Sequence, residues 1–116
     1  MREFVARCPV EKIFFIQISD GERLDPPYSK DHPWFNPSLE PGHVWSNEAR
    51  PFPLETEYGA YMPMQEITQA FVVDKGYAGW VSLETFDRRM REEKNGPDKN
   101  AQRGMDAWRK LRQRLA

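Results

Sequence analysis

Lys12-Ile13-Phe14-Phe15-Ile16-Gln17-Ile18-Ser19-Asp20 is the stretch on which the fold turns. Pro9 and Asp20-Gly21 bound an apolar, β-branched and aromatic run, so Lys12–Ile18 reads as a buried strand. Upstream, Arg2–Arg7 reads as the end of a helix stopped by Pro9. Downstream, Pro63 is placed to start a helix over Pro63–Lys75, with Gly76 closing it in a left-handed turn. Met64, Ile67, Ala70 and Phe71 give that helix one apolar face. Gly79–Glu84 is a second strand. Gly96-Pro97 opens a last helix, with Ala101, Met105, Trp108, Leu111 and Leu115 as its apolar stripe. Its other face, with Lys99, Arg103, Asp106 and Lys110, reads as solvated charge, as does the run Arg88–Lys94. Strands alternating with helices predict a parallel α/β sheet.

Between these flanks lies a stretch of another kind. Eight of the 10 prolines fall from Pro26 to Pro63, and Asp20–Met62 reads as neither helix nor long strand. Only Ala49–Leu54 has room for a short extended piece, interrupted by Pro51 and Pro53. A loop of roughly 40 residues far exceeds the usual length inside a compact domain. Either it lies across a binding face or the chain is not a self-contained unit. Two or three parallel strands also cannot cover both faces of their own sheet.

Composition narrows the classes. With 17 Lys+Arg against 18 Asp+Glu, the net charge of −1 argues against a nucleic-acid or anionic-membrane partner held by bulk positive charge. The 15 aromatics in 116 residues argue against wholesale disorder. Cys8 alone cannot build a disulfide framework, and no apolar run is long enough for a membrane helix, so a soluble cytoplasmic protein is expected.

Alternation along the strands locates the candidate chemistry. Phe15, Gln17 and Ser19 share one face of the first strand, opposite Phe14, Ile16 and Ile18; Trp80, Ser82 and Glu84 share one face of the second. Gln17 and Glu84 thus lie at carboxyl ends, where parallel α/β folds bind ligands. From the residues alone, strand-end groups satisfied by nearby backbone remain the simpler reading. The sharper one makes them oxygen ligands of Mg²⁺ or Mn²⁺. Arg50 is placed either for a structural salt bridge or for a bidentate hold on a substrate carboxylate. His32 and His43 read as exposed loop histidines, Cys8 as an idle thiol, and Trp34, Phe35 and Trp45 as packing.

Three segments together carry a resemblance: Lys12–Leu24, then Trp45-Ser46 with Arg50-Pro-Phe-Pro-Leu-Glu55, then Gly76–Phe86. They, and the closing Ala101–Leu111, resemble the carboxyl-terminal part of xylose-isomerase-like TIM barrels of the sugar phosphate isomerase/epimerase superfamily. The similarity is greatest to the fungal-type 3-dehydroshikimate dehydratases of quinate catabolism, and it runs from about Phe4 to Leu115. The resemblance implies a partial (β/α)₈ TIM barrel over residues 1–116. It also implies a divalent metal, with Gln17 and Glu84 as two of its four ligands and Arg50 near the substrate carboxylate. The implied reaction removes water from 3-dehydroshikimate to give protocatechuate, the metal stabilising an enolate.

Two departures stand out: Asn47 follows Ser46 where the family has arginine, and Ala60 replaces a glycine after Gly59. Neither histidine matches the family's acid/base histidine. That residue and the other two ligands belong to the first half of a barrel of about 250 residues. The isolated chain is therefore expected to be inactive, with no catalytic residue assignable within it. Isomerisation or epimerisation of a sugar-like hydroxy-ketone is the alternative chemistry for the same barrel. A non-catalytic remnant, covered by self-association or a partner chain, is the alternative of another class.

Overall fold

A computed structural model describes residues 1–115. Helix α1 (Arg2–Arg7) ends at extended Cys8, before Pro9, and a single turn at Val10–Lys12 leads into strand β1 (Ile16–Ile18). Helix α2 (Pro41–Glu48) runs directly into strand β2 (Ala49–Arg50). Helix α3 (Met64–Thr68) continues without a break into a wider π-type coil over Gln69–Asp74, and Gly76 follows at φ +67°. Strands β3 (Val81–Leu83) and β4 (Phe86–Asp87) precede helix α4 (Pro97–Arg114), which Gly96 caps and Pro97 starts.

The strands form two small sheets. Strands β1 and β3 pair in parallel, with Ile16 opposite Val81, Gln17 opposite Ser82 and Ile18 opposite Leu83. Strands β2 and β4 pair antiparallel, setting Ala49 against Asp87 and Arg50 against Phe86. The α/β class and the parallel pair are as expected; the antiparallel pair is an addition.

Alternation on β1 is obeyed. Ile16 and Ile18 are buried with Met64, Tyr77 and Leu111, and Val81, Leu83 and Trp108 pack around them. At its amino end the strand falls short of the expected Lys12–Ile18: residues 12–15 are not strand, and Phe14 is 88% exposed. Only three residues of β3 exist to pair with β1, so the ladder stops where its partner stops. The Tyr77 hydroxyl lies 3.1 Å from the Trp80 carbonyl and 3.3 Å from that of Phe14, joining the two strands at their amino ends.

Two further expectations need correction. The proline-rich stretch holds a regular helix after all, because Pro41 occupies the first turn of α2, where its missing N–H costs nothing. Helix α4 is rotated from its apolar stripe: it buries Asn100, Gly104, Ala107 and Leu111, while Ala101 and Met105 are exposed. At Gly104 a Cβ would sit 3.1 Å from the Phe52 ring, so the bare backbone lets the helix close onto the Arg50-Pro51-Phe52-Pro53 segment.

Candidate functional site

At the carboxyl ends of β1 and β3 the chain gathers Ser19, Arg50 and Glu84. The Glu84 backbone N–H donates to the Ile18 carbonyl at 3.0 Å, carrying the parallel ladder one residue beyond β3. This puts Glu84 beside Ser19, and strand β2 brings Arg50 over both. Arg50 Nε donates to Ser19 Oγ at 2.9 Å and Nη1 to Ser46 Oγ at 3.4 Å. Its Nη2 reaches the Glu84 carbonyl at 3.0 Å and Glu84 Oε2 at 2.7 Å. The guanidinium carbon lies 5.2 Å from the centre of the Phe86 ring, the cross-strand neighbour of Arg50. The side chain of Arg50 is 19% exposed and that of Glu84 40%.

Gln17 belongs to the same face but stands apart from this cluster. It is exposed, where the run around it had read as buried. Beside it in register, the Ser82 hydroxyl is buried without a hydrogen-bond partner among the described residues. Gln17, Ser82 and Glu84 are hard oxygen donors, and such donors suit Mg²⁺ or Mn²⁺ rather than a soft metal. Among the described residues no group of three or more His, Cys, Asp or Glu gathers to hold a metal. By donor type alone, the Gln17 amide and the Glu84 carboxylate suit a hard cation.

Asp20 anchors the whole arrangement, a role its place beside Gly21 did not suggest. Its carboxylate, 3% exposed, accepts backbone N–H bonds from Gly21, Leu54, Tyr61 and Met62 at 2.8, 3.0, 3.1 and 2.9 Å. One side chain thereby ties the segment after Arg50 to the end of β1. Leu54 is held at φ +66°, a strained conformation for a branched residue, while donating to Asp20. Gly21 admits no side chain here, since a Cβ would lie 2.8 Å from the ring of Trp45.

Behind the site, charges expected to be solvated are paired inside the molecule. Glu22 accepts from Arg88 and Arg89; Asp87 accepts from Arg89 and Arg103; Glu55 accepts from Arg103 through both carboxylate oxygens at 2.8 Å. The Arg103 guanidinium stacks over Tyr58 at 4.7 Å, and that of Arg88 over Trp34 at 4.4 Å. Burial alone would raise the pKa of Glu22 and Asp87. The arginine bonds outweigh it and hold both below the ordinary carboxylate range. Arg103 is likewise raised against the effect of its own burial by Glu55 and Asp87.

The remaining candidates take structural places. His32 is buried rather than exposed, and its Nδ1 accepts from the Trp34 N–H at 3.2 Å beside the Tyr28 ring. His43 is exposed on α2, and Cys8 is a half-buried free thiol. Trp45 donates its indole N–H to the Glu22 carbonyl at 3.1 Å. The roles of Asp20 and Arg103 were missed because partners such as Leu54 for Asp20 and Glu55 for Arg103 lie 34 and 48 residues away in sequence.

The fold and the site define a class: an α/β unit whose parallel strands end in a polar, arginine-braced face, the usual ligand-binding place of such sheets. Comparison with known proteins makes this particular. A 3-dehydroshikimate dehydratase of Neurospora crassa is 46% identical over 112 residues. The match takes in 96% of this chain and 31% of the relative, so the chain is homologous to a segment of that enzyme and spans under a third of its length. No family model and no solved structure matches the chain.

Proposed function

We propose that the chain supplies one wall of the active site of a divalent-metal-dependent 3-dehydroshikimate dehydratase with a (β/α)₈ barrel. The 46% identity over almost the whole chain carries the reading. Gln17 and Glu84 contribute two oxygen ligands from neighbouring parallel strands. A divalent cation held there would supply Lewis-acid polarisation of a ketone oxygen. Arg50 binds the substrate carboxylate, and Ser19 and Ser46 fix its guanidinium so that the substrate is oriented on the face of Gln17 and Glu84. The Phe86 ring lies over the guanidinium on one side.

Two ligands and no general base make the isolated chain inactive. The exposure of Phe14 at 88% and Trp80 at 85%, just before strands β1 and β3, which among the described residues pair with each other alone, supports a further chain segment covering this sheet. The test is a chimera in which these residues replace the aligned segment of the Neurospora crassa enzyme. It is expected to release protocatechuate from 3-dehydroshikimate with Mg²⁺ or Mn²⁺. A folded, metal-binding chimera that turns over a neutral sugar instead would move the assignment to an isomerase or epimerase.

A further inference from the structure

Arg50 is anchored in a way that leaves one of its bonds exchangeable. Three contacts, to the hydroxyls of Ser19 and Ser46 and to the carbonyl of Glu84, hold the guanidinium through groups that cannot ionise. Its one carboxylate partner among the described residues is Glu84 Oε2 at 2.7 Å, on a side chain that is 40% exposed. An incoming carboxylate needs this same position, because bidentate pairing uses the edge of the guanidinium that Glu84 now occupies. Glu84 therefore acts as a built-in competitor for the anion seat.

We propose that the Arg50–Glu84 ion pair is an exchange latch that couples carboxylate binding at Arg50 to cation binding at Glu84. The proposal rests on the reading of Glu84 as a cation ligand. A cation that takes the Glu84 carboxylate frees the Arg50 edge while the three neutral bonds keep the guanidinium in place. Without a cation, a bound carboxylate must displace Glu84 and leave a second negative charge beside it. The two ligands thus favour each other, and by linkage each raises the other's affinity by the same factor.

The isotope-labelled 116-residue chain tests this with benzoate as the carboxylate probe and Mg²⁺ as the cation, reading the Arg50 Nε–H resonance by NMR. Saturating Mg²⁺ is expected to tighten benzoate binding by about tenfold, within the usual range of site-to-site coupling. Glu84→Gln is expected to bind benzoate tightly without Mg²⁺ and to ignore its addition, and Arg50→Lys to lose benzoate binding. If Mg²⁺ shifts the Glu84 signals but leaves benzoate affinity unchanged, the latch is wrong. If Mg²⁺ leaves Glu84 untouched, the cation-ligand reading fails, and the coupling falls with it. The competition of Glu84 for the anion seat is read separately: it holds if Glu84→Gln binds benzoate more tightly than the native chain and falls if the two are equal.

Discussion

Asp20 shows how much one side chain decides here. Its four backbone bonds converge from three separate stretches of chain; of the donors, the Tyr61 N–H is shared with the Gly21 carbonyl at 3.1 Å. Asp20→Ala leaves the N–H groups of Gly21, Leu54 and Met62 facing a void, at about 1–3 kcal/mol for each one left unsatisfied. A loss of at least ~3 kcal/mol in urea unfolding is expected on that scale. Asp20→Asn keeps one acceptor oxygen and should fall between the two. A loss under about 1 kcal/mol for the alanine variant would mean that water replaces the carboxylate and that the anchor matters little. Arg50 is a second case. The sequence left open whether it forms a salt bridge or waits for a substrate, and the geometry shows the salt bridge with Glu84.

At the scale of elements, helix α4 separates apolar pattern from packing. The stripe through Ala101 and Met105 is a sound reading of period, yet the buried line is Asn100, Gly104, Ala107 and Leu111, one residue earlier at its first three positions and joining the stripe at Leu111. The rotation lets Arg103 reach Glu55 and Asp87, and it sets Gly104 against Phe52. Met105→Ser is therefore expected to change stability by no more than about 0.5 kcal/mol, as exposed substitutions usually do. Arg103→Ala leaves buried Glu55 without its ion partner and Asp87 with Arg89 alone, and should cost about 3–5 kcal/mol. Thermal unfolding of both variants checks the register of the helix: a costly Met105→Ser with a harmless Arg103→Ala would restore the stripe. Helix α2 teaches a related lesson. Proline counts as a breaker along a sequence, but at the first turn it is a start signal, and only position in the helix distinguishes the two.

For the molecule as a whole, the cluster of Glu22, Glu55, Asp87, Arg88, Arg89 and Arg103 joins α4, β4 and the loop after β1 into one body. Glu22 and Asp87 sit below their ordinary values of 4.5 and 3.8, so the unfolded chain binds more protons than the folded one around those values. Their contribution is complete above about pH 5 and is lost as pH falls through the depressed folded values. The urea midpoint is expected to drop steeply between about pH 5 and about pH 3, and a flat profile there would mean that the cluster adds no stability. At neutral pH the uncovered Phe14 and Trp80 should make the isolated chain associate in size-exclusion chromatography, and Trp80→Ser should reduce that association.

By itself the sequence determined the helices at either end, the two parallel strands, and the face on which Gln17 and Glu84 lie, since period and punctuation are local properties. It also carried the kinship, through segments such as Gln17-Ile-Ser-Asp20 and Gly79–Glu84. Only the tertiary structure decided that Asp20 is an anchor, that the charges of Arg88, Arg89 and Arg103 are spent inside the molecule, and that Arg50 holds Glu84. A charged residue reads the same in sequence whether water or a buried carboxylate surrounds it. The partner that decides between them comes from tens of residues away, where no local pattern reaches.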